Sequence, residues 1–515
     1  MKYTNPVISG FYPDPSICRV NEDYYLVNSS FGYFPGVPIF HSRDLINWDQ
    51  TGHCLTRESQ LTLTKKDWNQ WNAIGFTGIF APTLRYHQGR FYMITTNVGA
   101  SQNFIVWAEQ PEGPWSDPID LDWGGIDPSL LFDEDGKVYI TGTATNEESM
   151  GIYQAEVDLE TGSLLTERRN IWQGTGGRFP EGPHLYRIHN KYYLLIAEGG
   201  TEYGHMVTIA KSDEPYGPFE SCPHNPILTH RSTESPIQAI GHADLVQAHD
   251  GSWWTVFLGI RPVGYPYRHH LGRETFLAPV TWTEEGWPII GQNGQVALEM
   301  EAPSFAQTPQ QMDKRSRFVR DDFDAQELGF QWNFLRTPHE SSWSLQERPG
   351  WLTLYGMEAS LNEQDTSSFL GRRQQNFECE VSVLLEFDPV DEGEEAGLTV
   401  FMNESAHYEI AVTRMNGKKT LIFRRRIGSL WKVEQEAEYD RSAIVLGIKA
   451  SKQSYTFSFA QPEGEATEFG KGESSYLSTE AVGGFTGVYF GMYATGNGTR
   501  SKTPAYFDYF EYRSL

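Results

Sequence analysis

With 515 residues, 39 % of them hydrophobic and 14 % aromatic, the chain is too long for one ordinary core and too apolar for disorder, so at least two globular domains are expected. A formal charge of −26 disfavours nucleic acid and anionic membranes, which are bound through Lys and Arg, and leaves neutral partners as the better fit. The four cysteines, Cys18, Cys54, Cys222 and Cys379, form neither a disulfide framework nor a metal-ligand spacing. No apolar stretch approaches the roughly 18 residues that span a bilayer, and Met1 to Pro6 carry no leader pattern, so a cytoplasmic location is expected.

From the N-terminus, one short pattern recurs five times: a small or polar anchor with a Pro nearby, an aliphatic run, a turn, then paired aromatics. The copies are FYPDPSICRVNEDYYLV, IFAPTLRYHQGRFYMIT, GIDPSLLFDEDGKVYIT, FPEGPHLYRIHNKYYLL and IGHADLVQAHDGSWWTV. Anchored on Asp14, Ala81, Asp127, Glu181 and His242, they place Tyr25, Tyr92, Tyr139, Tyr193 and Trp254 at nearly constant offsets. Each copy reads as a β-hairpin, with turns such as Asp135-Gly136 and Asp250-Gly251. The segments SRDLINWD, AEQPEGPWSDP and AKSDEPYGPFESCP fall between copies and predict outer hairpins. Two hairpins per unit make a four-stranded blade, so residues 1–300 are expected to form a five-bladed β-propeller. The inner strands of a propeller start near its axis, which would bring the five anchors to one mouth of the channel.

Residues 301–320 read as a polar linker around EAPSFAQTPQQMDKRSR. From 321 to 515 short alternating runs such as ECEVSVLLEF, GLTVFM, YEIAVTR and AIVLGIKA predict a β-sandwich without helices, of the jelly-roll or concanavalin-like kind, packed on the propeller. The fold class is therefore all-β.

Three of the anchors, Asp14, Asp127 and Glu181, are acidic. Acetal hydrolysis uses such a set: one carboxylic acid protonates the leaving oxygen while a carboxylate activates water or attacks the sugar. A third carboxylate raises the pKa of the acid, and Glu181 is the group expected to stay protonated. A hard cation bound by the same oxygens is the rival reading.

The combination of FYPDPS, GGIDPSL and EGPHLY resembles glycoside hydrolase family 43, the β-xylosidases and α-L-arabinofuranosidases. The resemblance extends through PGVPIFHSRDLINW, AEGGTEYGH, GHADLV and LGRETFLAPV to the sandwich that two-domain members carry. It implies an inverting exo-glycosidase releasing a terminal pentose, with Asp14 as general base, Asp127 as pKa modulator and Glu181 as general acid. It further implies Phe31 as a sugar-stacking wall, Arg273 as a hydroxyl-binding cation, and His242 as either a sugar contact or, through waters, a ligand of a cation on the propeller axis. Phe485, in GGFTGVYFG, would close the pocket from the sandwich. Phe80 stands where xylosidases of the family usually have Trp, and the third-blade loop TATNEESMG is shorter and more polar than in them, which points to mixed xylosidase and arabinofuranosidase activity.

These implications include a small oligosaccharide as substrate and no required cofactor, with a structural calcium and homo-oligomeric assembly both compatible. Two rivals are a non-catalytic sugar-binding propeller and a retaining fructan or sucrose hydrolase. The second would carry Asn-Asp-Pro and Glu-Cys where this chain has Tyr12-Pro13-Asp14 and Glu181-Gly182-Pro183.

Overall fold

A computed structural model describes residues 1–63, 77–143, 150–306 and 318–515. Part of the expected linker and most of the third-blade loop TATNEESMG lie outside the described residues.

Five antiparallel sheets follow one another along the chain. Their first strands are Ser16–Val20, Thr83–His87, Ile126–Phe132, Glu181–Ile188 and Gln238–Gln247, and each pairs with the aromatic strand that follows it through a tight turn. The turn glycines Gly136 (φ 85°) and Gly251 (φ 87°) occupy the left-handed backbone region these hairpins need. Each first strand touches the first strands of both neighbouring blades, and the ring of five is complete. At the seam, Lys2–Thr4 pairs with Glu299–Glu301, and Ile8 bridges to Thr275 of the fifth blade. The expected outer hairpins are the connections between third and fourth strands, as from Gly36–Ser42 to Asp49–Leu55.

The floor of the channel is a polar knot. Asp244 of the fifth blade accepts from Arg85 of the second (2.9 Å), Ser16 of the first (2.7 Å) and Tyr186 of the fourth. Burial opposes the charge, but Arg85 holds the Asp244 carboxyl well below the usual carboxylate range. A buried charge so paired ties four blades at one point.

Two eight-stranded sheets form the C-terminal sandwich. Strand Cys379–Glu386 alternates buried and half-buried residues as an antiparallel strand with one core face should. Val381, Val383 and Leu385 meet Leu398, Val400 and Phe490 in the core. The expectation of a sandwich without helices needs one correction: the four-residue helix Thr479–Val482 and two single 3₁₀ turns occur among the described residues. The outer face of the second sheet carries Phe369, Phe401, Ile422, Tyr489 and Tyr493, which pack with Phe11, Phe31 and Tyr33 of the propeller. The propeller also contributes a strand, since Tyr33–Phe34 pairs with Phe334 and Leu335 at the edge of that sheet.

Candidate active site

The anchors are aimed by their backbone. Asp14 (φ 51°), Asp127 (φ 53°) and His242 (φ 49°) are all left-handed, and so is Gly182 (φ 56°), the residue after Glu181. Register shifts follow directly, between Ile126 and Ser129, between Glu181 and His184, and from Gln238 through Gly241 to Asp244. Such bulges turn a side chain out of the pleat and are frequent beside active sites. Here they flank Asp127, Glu181 and His242, whereas the hairpin after Asp14 pairs without a shift and Asp14 is aimed by its left-handed backbone alone.

Asp14 is buried. Its Oδ1 accepts from Nη1 of Arg273 at 2.8 Å, and its Oδ2 accepts from the Ser29 hydroxyl. The Asn28 amide donates to the carbonyls of Tyr12 and Pro13 (3.0 and 2.8 Å), fixing the turn that presents Asp14. Both carboxylate oxygens therefore have donors from fixed elements, and the group is oriented before any substrate arrives.

Glu181 and Asp127 face each other across the third and fourth blades. Oδ2 of Asp127 accepts the Gly182 backbone N–H at 3.2 Å and lies 3.6 Å from Nε2 of His242. Burial, then the charges of Asp127 and Asp14, push the Glu181 carboxyl up to about 8 against the opposing pull of His242 and Arg273. The sequence pointed to the neighbouring carboxylates as the cause; burial is the larger one. His242 moves up to about 9: burial lowers it, but the hydrogen bond to Asp127 and the charges of Asp14, Asp127 and Glu181 prevail.

His205 was not singled out from the sequence, although AEGGTEYGH ends on it. Burial and the neighbouring His242 push it down to about 3, so it is neutral. Its Nδ1 lies 3.2 Å from the Ala239 carbonyl, which assigns the proton to Nδ1 and turns the Nε2 lone pair toward Oε1 of Glu181 at 3.8 Å. A neutral acceptor in that place suits a protonated Glu181.

Three aromatic rings cluster beside Arg273, the partner of Asp14. Phe31 lies 5.1 Å from Phe80 and 5.8 Å from Phe485, and Phe80 lies 6.1 Å from Phe485, centre to centre. The Arg273 guanidinium sits 5.6 Å from the Phe31 ring and 5.2 Å from that of Phe485, and Nη1 also donates to Thr201 Oγ1 at 3.2 Å. Phe485 reaches the pocket because the sandwich segment beside it docks on the propeller, with Val488 N–H donating to the His270 carbonyl at 2.9 Å. A β-carbon on Gly487 would come within 2.4 Å of the Leu271 carbonyl, so the approach requires glycine there. Close by, Glu480 accepts from Tyr203 (2.7 Å) and from the His269 backbone (2.9 Å), and meets Nδ1 of His269 at 2.7 Å. Ser29, Thr201, His205 and Glu480 carried no individual sequence signal, because none stands at a repeat position.

All eight residues singled out from the sequence, Asp14, Phe31, Phe80, Asp127, Glu181, His242, Arg273 and Phe485, thus belong to one connected cluster. Among the described residues no group of three or more His, Cys, Asp or Glu side chains is arranged to hold a metal ion.

The family model described as glycosyl hydrolases family 43 matches residues 3–288, and that of a β-xylosidase C-terminal concanavalin A-like domain matches residues 320–513. The chain is 44 % identical to a non-reducing end α-L-arabinofuranosidase of Bacteroides ovatus, over 100 % of this chain and 95 % of that one. It is 38 % identical to a xylosidase/arabinosidase of Butyrivibrio fibrisolvens, over 98 % of each. The crystal structure of a xylan β-1,4-xylosidase from Bacillus halodurans superposes with a TM-score of 0.92 at 37 % identity, covering 99 % of this chain and 100 % of that one.

Proposed function

The chain belongs to glycosyl hydrolase family 43, and on that premise we propose that its pocket releases a terminal pentose, β-D-xylose or α-L-arabinofuranose, from short xylan- or arabinoxylan-derived oligosaccharides. The activity is that of an exo-acting glycoside hydrolase, and the family inverts. One observation carries the assignment of roles: Glu181 is held protonated up to about 8 beside Asp127, while Asp14 is held by Arg273 and Ser29 as a hydrogen-bond acceptor.

In this reading the terminal sugar lies against Phe31, Phe80 and Phe485. Glu181 donates its proton to the glycosidic oxygen as the bond to the anomeric carbon breaks. Asp14 takes a proton from water as that water attacks the opposite face, so the product has inverted configuration. Asp127 keeps Glu181 protonated until the leaving oxygen needs the proton. The ring of Phe485 closes one side of the pocket, which suits removal of one end sugar at a time.

No cofactor enters these steps. A hydrated cation on the axis would take the His242 ring in its neutral form, in place of the proton that Asp127, Asp14 and Glu181 favour there, and would add positive charge beneath the carboxylates; no step passes through it. A purely sugar-binding propeller would not need Glu181 held up to about 8, and a retaining route would need Asp14 as a nucleophile. Comparison of turnover on aryl β-D-xyloside, aryl α-L-arabinofuranoside and xylobiose tests the reading; absence of turnover on all three overturns it.

A further inference from the structure

Phe179 has no part in the pocket described above, yet it is built like a residue of the site. It stands two positions before Glu181 and shares the left-handed backbone of Asp14, Phe31, Asp127 and His242, with φ 49°. An aromatic side chain in that region is an outlier whose surroundings must hold it there. They do. The Gly199 N–H donates to the Arg178 carbonyl at 2.7 Å, and the Gly177 N–H donates to the buried Glu198 at 2.9 Å, so the chain is tied on both sides of the bend.

The ring packs over Gly200 (φ 71°), where a β-carbon would come within 3.1 Å of its Cδ2. Next to Gly200 is Thr201, which accepts from Arg273. Phe179 therefore packs against the short segment that touches the pocket cation. Even so, 45 % of it is exposed, and the guanidinium of Arg178 sits over the ring at 4.8 Å, itself exposed and paired loosely with Glu202 at 3.9 Å. A rigid, half-exposed aromatic ring with a movable cation above it is an arrangement that stacks on the apolar face of a sugar.

Its place follows from the chemistry of Glu181. The acid must reach the glycosidic oxygen, so the sugar on the leaving side of that oxygen lies outside the pocket, on the flank of the strand that Glu181 begins. We propose that Phe179 is the platform for the first leaving-group sugar, with Arg178 swinging aside to bind its hydroxyls. The proposal rests on the glycosidase reading above and adds to it a determinant of leaving-group specificity.

The test compares two substrates carrying the same terminal pentose: an unactivated disaccharide, which has a sugar to stack, and the pentosyl fluoride, which has none. Phe179→Ala should lower kcat/KM on the disaccharide by at least ~10-fold and change that on the fluoride by less than ~2-fold, while Phe179→Trp keeps the disaccharide rate within ~3-fold. The fluoride rate also reports that the variant is folded. Equal losses on both substrates, or no loss on the disaccharide, overturn the proposal. A wild-type protein that turns over neither substrate overturns the underlying pentosidase reading instead, so the two failures are distinct.

Discussion

The Arg273 guanidinium lies 5.2 Å from the ring of Phe485, so a side chain of the sandwich covers the cation that orients Asp14. The pocket is thus completed across a domain boundary. Its acid and base come from the propeller, and part of its wall, Phe485, comes from the sandwich far later in the chain.

Removing that wall should weaken substrate binding more than chemistry. Phe485→Ala is expected to raise KM on an aryl pentoside by ~5- to 10-fold with kcat changed by less than ~3-fold, since an aromatic contact contributes about 1 kcal/mol. Steady-state kinetics checks the split.

Glu181→Gln keeps the shape and removes the proton. On a disaccharide with a poor leaving group, kcat/KM should fall by ~10²- to 10⁴-fold. Because the acid works protonated and its carboxyl is raised to about 8, wild-type kcat/KM should decline as pH rises through about 8, and that alkaline limb should be missing from the variant.

The same raised carboxyl affects stability. In the unfolded chain a Glu titrates near ~4.3, so between there and about 8 the folded state holds the extra proton, and stability falls as pH rises through that window. Glu181→Gln lacks this penalty. Its melting temperature should gain on that of the wild type from pH 4 to pH 9, and thermal scans at both ends measure the difference.

Glu480 has the opposite sign. Burial resists its charge, but its bonds to His269 and Tyr203 hold the carboxyl down to about 2. Stability from this contact is complete above the unfolded value of about 4.3 and is lost as pH falls toward about 2. Glu480→Gln should be less stable than the wild type at pH 7 and show a shallower loss on acidification.

Asp14→Ala should abolish hydrolysis, and added azide should yield no glycosyl azide of retained configuration, because the inverting route forms no glycosyl-enzyme. Proton NMR of the first-formed sugar from the wild type should show the inverted anomer.

The fold was legible because its repeats share one slot. Nearly constant spacing from Asp14, Asp127, Glu181 and His242 to the aromatics marked the inner hairpins, and a residue in a repeated slot inherits a predictable place at the mouth. Alternation in segments such as ECEVSVLLEF gave the sandwich for a similar reason. The bulges at these slots were not legible, since Asp before Pro opens many kinds of turn. Nor was the reason that Glu181 keeps its proton: burial depends on what covers a residue, and part of that cover lies far away in sequence. Glu480 stayed hidden because its helix is one turn long, too short for any periodicity to show.

The strand Tyr33–Phe34 leaves the first blade to complete the edge of the sandwich's second sheet. A sandwich produced alone would present Asn333–Leu335 as a bare edge, open to pairing with other chains. A propeller produced alone would leave Phe11, Phe31 and Tyr33 facing water. Neither half is a usable module for transplantation into another enzyme, and a calorimeter should record one melting event for the pair.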